Sequence, residues 1–203
     1  MNYFVTAIDT DSGKTLVSAI LCEALQADYW KPVQAGMPRD ADGVRSLISN
    51  TKTVIHPETY LLKTPASPHA SAKADGITIE LEKFKLPPTS KHLVIEGAGG
   101  VLVPLNDQNF VIDMAPLFQA EVVVVADLYL GSINHTLLTI EALIKRKLSL
   151  KGIIFNGASN PESERIILKH TGLRCLVQIP REDSINKNVV MKYANVLKTN
   201  WYE

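Results

Sequence analysis

The segment Asp9–Thr15 has the residue types of a loop that binds phosphate groups. It follows an apolar run, Tyr3–Ile8, and precedes a segment with helical periodicity. Gly13 permits a tight turn, Lys14 can reach the β- and γ-phosphates of a nucleotide, and the Thr15 hydroxyl can bind Mg²⁺. The amino end of the helix adds oriented N–H groups that favour anions. This context predicts a Walker A loop, although the first glycine of the strict pattern is missing.

Carboxylates and a lysine at the ends of other predicted strands can serve the same chemistry. Glu96 ends an apolar run, and the segment Gly97–Gly100 after it would let a substrate approach backbone N–H groups. Asp42, near the start of a predicted helix, supplies a second carboxylate, and Asp40 competes with it as a metal ligand or helix cap. Mg²⁺ on nucleotide phosphates commonly takes one or two carboxylates. Lys31 can neutralise charge that develops in a transition state.

Each candidate residue also has a structural interpretation. Asp42 can simply favour the helix dipole, Glu96 can be a solvated loop residue, and Lys31 can lie on the surface. Asn156, which ends a predicted strand, can be a turn residue, and Gly131–Asn134 can be a plain helix cap. The residues alone leave these alternatives open.

Short apolar runs alternate along the chain with segments of helical periodicity. Val122–Val125 is uninterrupted valine, which is typical of a strand buried on both faces of a parallel sheet. The order predicts an α/β fold, a doubly wound, mostly parallel sheet with helices on both faces, in one domain over residues 1–203. The predicted strands are Tyr3–Ile8, Tyr29–Val33, His92–Glu96, Val122–Asp127, Gly152–Asn156 and Arg174–Ile179, and the predicted helices lie near 14–26, 40–50, 110–119, 133–147, 161–171 and 184–198. Residues 51–91 are predicted as an insertion with partial helix and a turn at Pro87-Pro88.

Sheets of this kind bind their ligands beyond the carboxyl ends of the strands. Four predicted strand ends carry polar or glycine-rich sequence, namely Asp9–Thr15, Lys31–Gly36, Glu96–Gly100 and Asp127–Asn134. Because these ends lie along one edge of the sheet, we expect them to form one site.

Composition excludes several other classes of protein. The 203 residues are 46% hydrophobic and 21% charged, as in an ordinary globular protein. Lys+Arg and Asp+Glu are 21 each, so the basic excess of a typical nucleic-acid binder is missing. No apolar run approaches the ~20 residues that span a bilayer, and the first residues lack the basic region of a signal peptide. We therefore expect a cytoplasmic protein with no nucleic-acid or membrane partner.

An ordered set of motifs over nearly the whole chain resembles the dethiobiotin synthetases. Each motif is moderately specific, and their order makes the set highly specific. The motifs are Thr6–Thr15, the Trp30-Lys31-Pro32-Val33-Gln34-Ala35-Gly36 segment, Asp42, Ser67-Pro68-His69, Glu96-Gly97-Ala98-Gly99-Gly100 with Val103-Pro104-Leu105, Leu130-Gly131-Ser132-Ile133-Asn134-His135, Gly152–Asn156 and Ile179-Pro180.

The resemblance implies a P-loop NTPase-like fold and an ATP-dependent ring closure, the penultimate step of biotin biosynthesis. Carbon dioxide joins 7,8-diaminononanoate as a carbamate, ATP phosphorylates the carbamate, and the second amine displaces phosphate to give the cyclic urea of dethiobiotin. ATP as co-substrate, Mg²⁺ as cofactor and a homodimer with the substrate site at its interface are implied as well.

The family's functional residues are carried over to the matching positions of this chain. The expected catalytic residues are Lys31, Lys14 and Thr10. The expected nucleotide-binding residues are Asp9, Thr10, Asp11, Ser12, Gly13, Lys14, Thr15, Glu96, Gly97, Ala98, Gly99, Asn156, Pro180 and Arg181. The expected metal ligands are Thr15, Asp42 and Glu96, and the expected substrate-binding residues are Lys31, Ala35, Gly131, Ser132, Ile133 and Asn134.

Three positions depart from the family pattern. Ala7 replaces the first glycine of the loop, which is tolerable where φ is negative. Ala35 replaces a hydroxyl residue that helps to hold substrate, and Val177 replaces a glycine. These departures keep a catalytically weakened homologue open as an alternative.

A nucleotide-switched ATPase that binds a partner is the alternative from another class. Such proteins often carry Lys-Gly-Gly where this chain has Asp9-Thr10-Asp11. A related amide-forming ligase with a glutamine-hydrolysing domain would need a longer chain than 203 residues.

Overall fold

Seven parallel strands form the central sheet of the protein in this computed structural model, which describes residues 1–202. The strands of the chain are β1 (Asn2–Ala7), β2 (Asp28–Trp30), β3 (Val33–Ala35), β4 (Ile55–His56), β5 (Tyr60–Leu62), β6 (Leu93–Gly100), β7 (Glu121–Asp127), β8 (Leu150–Asn156) and β9 (Cys175–Ile179). The helices are α1 (Lys14–Leu25), α2 (Asp40–Leu47), α3 (Pro68–Ala74), α4 (Met114–Leu117), α5 (Ser132–Lys145), α6 (Pro161–Thr171) and α7 (Lys187–Trp201).

The central sheet has the strand order β4-β2-β6-β1-β7-β8-β9, and β3 pairs with β5 in a separate two-stranded sheet. Each face of the central sheet is covered by its own apolar cluster. Val5 faces the cluster that includes α1 and α7, whereas Phe4 faces the cluster that includes α5 and α6. All residues of Val122–Val125 are fully buried. The predicted fold class, a parallel sheet with helices on both faces, is confirmed.

The predicted strand Tyr29–Val33 is wrong as a single element. It divides into β2, which belongs to the central sheet, and β3, which belongs to the small one. Pro32 lies at the division and has no N–H to continue a ladder, and its carbonyl instead accepts hydrogen bonds from the N–H groups of Thr59 and Tyr60. Lys31 is therefore fixed at the point where the chain leaves the central sheet.

Two other predictions about local structure need correction. The helix predicted near 110–119 is a 3₁₀ turn, Val111–Asp113, followed by the four-residue α4, and Gln119 then adopts a left-handed φ of 49°. The insertion 51–91 is more regular than predicted, because it contains β4, β5, α3 and a 3₁₀ turn. The expected turn at Pro87-Pro88 is not found, because both residues lie in a segment without regular structure.

A buried carboxylate attaches the insertion to the central sheet. Asp28, the first residue of β2, accepts hydrogen bonds from the Val54 N–H (2.8 Å), the Thr89 hydroxyl (2.6 Å) and the Lys91 ammonium (2.9 Å). These donors hold the pKa of Asp28 below its usual value although burial opposes this. Both ends of the insertion are thereby bound to β2.

No helix within residues 1–202 has the length and the apolar character to cross a membrane.

Candidate active site

A cavity of about 670 Å³ lies beyond the carboxyl ends of β1, β2 and β6. It brings together many of the predicted site residues, namely Thr10, Asp11, Gly13, Lys14, Thr15, Lys31, Ala35, Glu96, Ala98 and Gly99. The remaining walls are Gln34, Gly36, Met37, Pro38, Asp40, Pro65, Ala66, Ser67, Pro68 and Val103. Three of the four predicted strand ends therefore meet at one cavity.

Hydrogen bonds within the loop between β1 and α1 fix its conformation. Lys14 Nζ donates to the Asp9 carbonyl over 3.0 Å, and the buried Ser12 hydroxyl lies within hydrogen-bond distance of the Asp9 and Thr10 carbonyls. Gly13 adopts a φ of 94°, which favours glycine. Burial lowers the pKa of Lys14, while Glu96 acts in the opposite direction. The loop is a preformed cradle with a buried ammonium group beneath it.

Thr10 and the glycine-rich end of β6 lie next to each other where the cavity opens to solvent. Thr10 is exposed, and the position of a Cβ on Gly99 would lie 3.6 Å from its hydroxyl oxygen. Gly99 has a φ of 67°, a conformation that favours glycine. Gly97 contributes its carbonyl oxygen, which accepts a hydrogen bond from Lys31 Nζ over 3.3 Å.

A charged cluster lies beside the loop, on the α1 face of the sheet. Tyr29 pairs with Val94 in adjacent strands, and alternate strand residues share a face. Lys31 and Glu96, two residues further along, are thereby brought to the same end of the sheet. Glu96 is only 1% exposed. Its Oε1 accepts hydrogen bonds from Thr15 Oγ1 (3.0 Å) and Lys31 Nζ (3.1 Å).

Lys31 is held as a cation between two carboxylates. It forms ion pairs with Glu96 and with Asp40, and its side chain is 5% exposed. Burial alone would lower the pKa of Lys31, but Glu96 and Asp40 outweigh it and the pKa is raised. The sequence left a surface position open for Lys31 and a solvated loop position open for Glu96, and the structure shows both side chains buried.

The second carboxylate of the cluster is Asp40, which the sequence left open as the competitor of Asp42. Asp40 is the first residue of α2, and its N–H donates to Gln34 Oε1 over 3.0 Å. Asp42 is exposed and does not line the cavity. Two residues along a helix turn a side chain by about 200°, so the side chains of Asp40 and Asp42 leave α2 in different directions. Asp42 stays a predicted metal ligand, and the competing residue Asp40 is the one whose side chain lines the cavity.

The oxygen atoms of this cluster fit a magnesium ion. Thr15 offers a hydroxyl, and Glu96 and Asp40 offer carboxylates, which are the hard ligands that Mg²⁺ takes beside nucleotide phosphates. No group of three His, Cys, Asp or Glu side chains within residues 1–202 has the arrangement of a metal site made by protein alone. A site with two carboxylates would rely on phosphate and water for its other ligands.

The residues predicted to bind the nucleotide base lie on the other side of the loop. Asn156 Nδ2 donates to the Ser12 carbonyl over 2.9 Å and lies against Gly13. Asn156 ends β8 and is paired with Ile179 at the end of β9. Pro180 and Arg181 follow directly and are exposed. Asn156 thus lies next to the loop, Pro180 and Arg181 follow the neighbouring strand, and none of the three lines the cavity.

The segment Gly131–Asn134, predicted to bind substrate, is not part of the cavity. It forms the amino end of α5, where Gly131 adopts a φ of 105°. Gly131, Ser132 and Ile133 line a separate depression with the loop that follows β8. Leu130, just before them, is fully exposed. The structure of one chain therefore separates these residues from Lys31 and Ala35.

Comparisons with known proteins agree with the motifs. A family model described as an AAA domain matches residues 1–189. The ATP-dependent dethiobiotin synthetase BioD of Cytophaga hutchinsonii is 58% identical over 203 residues, which cover 99% of this chain and 98% of that protein. The protein of the same name from Christiangramia forsetii is 46% identical over 195 residues, 95% of this chain and 94% of that protein.

The chain belongs to the dethiobiotin synthetase family. The resemblance inferred from the motifs is confirmed.

Solved structures of more distant proteins share the fold of this dethiobiotin synthetase family member. The septum site-determining protein MinD of Pyrococcus horikoshii, complexed with Mg-ADP, has a TM-score of 0.59 at 15% identity over 96% of this chain and 95% of that chain. A ParA family ATPase from Chlorobium tepidum has a TM-score of 0.57 at 13% identity over 98% and 92% of the two chains. At these identities the likeness shows the fold alone.

Two departures from the dethiobiotin synthetase pattern lie inside strands. Ala7 is fully buried in β1, where it pairs with Gly100 and Val125 in extended backbone, so glycine is not required there. Val177 is buried in β9 and pairs with Ile154. Only Ala35, which is half-buried at the end of β3, lines the cavity.

Sequence reasoning gave no role to two residues that the structure brings to the site. Tyr29 donates a hydrogen bond to Glu96 Oε2 over 2.9 Å, yet in the sequence it reads as an apolar strand residue. Gln34 bonds to the Asp40 N–H and to the Gly36 carbonyl, and so fixes the start of α2. Gln34 lies within the Lys31–Gly36 motif, which was a usable signal, whereas Tyr29 had none.

Proposed function

We propose that the protein catalyses the ATP-dependent closure of 7,8-diaminononanoate and carbon dioxide to dethiobiotin, as the name of its relatives indicates. One observation carries this proposal. A single cavity joins the phosphate-binding loop to a buried lysine held between two carboxylates, Lys31 with Glu96 and Asp40. Transfer of a phosphoryl group to a carbamate needs the phosphate-binding loop and this charged cluster next to each other.

The proposed reaction has three steps. An amine nitrogen of the substrate attacks carbon dioxide and loses a proton, which gives a carbamate. A carbamate oxygen then attacks the γ-phosphorus of ATP, and ADP leaves. Finally the second amine attacks the carbonyl carbon, phosphate leaves, and the five-membered urea ring is closed. The negative charge of the carbamate and of the transferring phosphoryl group must be stabilised throughout.

Three residues are proposed to stabilise that charge. Lys14 holds the β- and γ-phosphates from beneath the loop, where its ammonium already bonds to a loop carbonyl. Lys31 lines the same cavity beside the loop, where it shares Glu96 Oε1 with Thr15, and is proposed to contact the carbamate. Thr10, at the cavity mouth opposite Gly99, contacts the phosphoryl group or the carbamate through its hydroxyl.

Mg²⁺ is proposed to be held by Thr15, Glu96 and Asp40. Bound there, it would neutralise phosphate charge and orient the nucleotide. In the structure Lys31 and Thr15 bond to Glu96 Oε1. Both donors line the cavity, so Oε1 is the oxygen of Glu96 that is proposed to bind the metal.

The nucleotide and substrate contacts complete the proposed site. The loop Asp9–Thr15 and Gly97–Gly99 bind the phosphates, and Asn156, Pro180 and Arg181 bind the base, supported by their convergence beside Gly13. Ala35 lies against the diamine. The other proposed substrate-binding residues are Gly131, Ser132, Ile133 and Asn134. The Ser132 N–H donates to the Tyr129 carbonyl over 3.0 Å, so the N–H groups of Gly131, Ile133 and Asn134 would hold the substrate carboxylate.

A homodimer is part of the proposal, because one chain does not bring its own Gly131–Asn134 to its own cavity. The amino end of α5 in a second copy would supply the carboxylate site. The exposed Leu130 beside it is an apolar contact that a partner can cover. We further propose that residues 1–203 act as one domain and that the enzyme works in the cytoplasm, without a nucleic-acid or membrane partner.

The proposal is tested with purified protein, ATP, Mg²⁺, bicarbonate and 7,8-diaminononanoate. Phosphate release should require both the diamine and bicarbonate, and mass spectrometry should detect a cyclic urea in equal amount. Omission of each component in turn is the control. ATP turnover that ignores the diamine and rises with a protein or DNA partner would instead establish a switch ATPase.

A further inference from the structure

The two oxygens of the Glu96 carboxylate have different surroundings. Oε1 faces the cavity and accepts from Thr15 and Lys31. Oε2 faces away from them and accepts a hydrogen bond from the Tyr29 hydroxyl over 2.9 Å. Tyr29 is 0% exposed and Glu96 is 1% exposed, so water cannot replace this bond from outside.

The position of the Tyr29 hydroxyl is set by the sheet. Tyr29 lies in the middle of β2 and pairs with Val94 and Ile55 in the strands on either side. Its ring belongs to the apolar cluster under α1. Glu96 follows Val94 by two residues and points to the same face. A packed ring thus presents a donor to the carboxylate from the core side.

The other two donors to Glu96 must change partners during the proposed reaction. Thr15 would bind the metal itself, and Lys31 also pairs with Asp40 and would face the substrate. Within residues 1–202 the Tyr29 hydroxyl has Glu96 as its hydrogen-bond partner and no other task. It alone can hold the carboxylate in one orientation before and after metal and substrate bind.

We propose that Tyr29 is a positioning residue for the magnesium site: by binding Oε2 it keeps Oε1 of Glu96 directed at the metal. The inference rests on the proposed function in one respect, the assignment of Glu96 as a metal ligand. Groups that orient a metal ligand in this way typically change metal affinity or activity about 10- to 100-fold when they are removed.

Tyr29→Phe tests the proposal, because it removes the hydroxyl and keeps the ring. Binding of a non-hydrolysable ATP analogue is measured by calorimetry in EDTA and at a series of Mg²⁺ concentrations. In EDTA, the affinity for the ATP analogue should stay within about twofold of wild type. Mg²⁺ raises this affinity, and the Mg²⁺ concentration that gives half of the rise, the Mg²⁺ half-saturation, should increase about tenfold. This readout needs no turnover, so it separates the role of Tyr29 from the identity of the substrate.

Tyr60→Phe is the matched control. Tyr60 is also buried, and its hydroxyl accepts a hydrogen bond from the Glu80 N–H away from the cavity. Tyr60→Phe should lower the melting temperature by about as much as Tyr29→Phe does, and it should leave the Mg²⁺ half-saturation unchanged. A Tyr29→Phe protein with wild-type Mg²⁺ half-saturation, or with equal loss in EDTA and in Mg²⁺, would overturn the proposal.

A second comparison covers the case in which Tyr29→Phe is unstable. In a Glu96→Ala background the carboxylate is gone, so adding Tyr29→Phe leaves no buried charge without a donor. The double variant should match Glu96→Ala in Mg²⁺ half-saturation. A further tenfold change in the double variant would show that Tyr29 does not act through Glu96.

Discussion

The Lys31 cluster and the amino end of α5 are both predicted to bind substrate, and they are built in opposite ways. In the cluster, Lys31 contacts both Glu96 and Asp40, and Lys31 and Glu96 are almost fully buried. At α5, Gly131 and Asn134 are exposed and Leu130 is fully exposed. The cluster is formed within one chain, whereas the α5 end lines a separate depression and does not reach the cavity that holds Lys31.

The difference follows from what each region must bind. A buried charge is stable only when it is paired and hydrogen-bonded, so the groups that act on transferring charge have to be fixed by neighbouring strands. A carboxylate far from the reacting atoms can be held by backbone N–H groups at a helix end, and these need no burial until the ligand arrives. The contrast therefore fits the proposed division, in which the first region acts in the chemistry and the second binds the substrate carboxylate.

Lys31→Ala should produce the largest effect, because it removes charge stabilisation in the transition state. Loss of a comparable group lowers kcat by about 10²- to 10³-fold, and we expect kcat and kcat/KM to fall together. Lys145→Ala, at the end of α5 and exposed, is the control for loss of a lysine. Steady-state kinetics decide the point: a change in KM with normal kcat would remove Lys31 from the catalytic group.

Asp40→Asn and Asp42→Asn should differ sharply although the residues are close in sequence. Asp40 contacts Lys31 and lines the cavity, while Asp42 is exposed. We expect the Mg²⁺ concentration for half-maximal activity to rise about 10- to 100-fold in Asp40→Asn and to stay within about twofold in Asp42→Asn. A larger effect in Asp42→Asn would reinstate it as the ligand.

Leu130→Ser tests whether the α5 end needs a second copy. Covering a leucine stabilises association by about 1.5–3 kcal/mol, so the dissociation constant of the dimer should rise about tenfold or more. Analytical ultracentrifugation over a dilution series measures this. Ile185→Ser, 45% exposed in the loop before α7, is the control. Wild-type protein that is monomeric at all concentrations and fully active would contradict the need for a second copy at the α5 end.

Sequence alone was sufficient for the features that rest on short-range rules. The valine run of β7 and the Gly13-Lys14-Thr15 loop predict a parallel sheet with a phosphate site, because strand period and loop chemistry are local. Lys31 and Glu96 were found because both follow apolar runs, and strand ends meet at one edge of a parallel sheet.

The remaining features depend on geometry that a single sequence does not carry. The choice between Asp40 and Asp42 depends on the first residue of α2, and helix boundaries are the least certain part of a sequence-based prediction. Tyr29 has the composition of a core residue, and only the register of β2 against β6 shows that its hydroxyl reaches Glu96. The separation of Gly131 from the cavity likewise needs coordinates.

Ala35→Ser should give the smallest effect and shows how the two regions share the substrate. Ala35 ends β3 and lines the cavity, where the family carries a hydroxyl. One added hydrogen bond contributes about 0.5–1.5 kcal/mol, so KM for the diamine should fall by up to about tenfold with little change in kcat. Ala66→Ser, at an exposed part of the cavity wall, is the matched control and should be neutral. An unchanged or higher KM in Ala35→Ser would mean that a neighbouring wall residue already makes this contact, and binding of the substrate would then rest mainly on the α5 end.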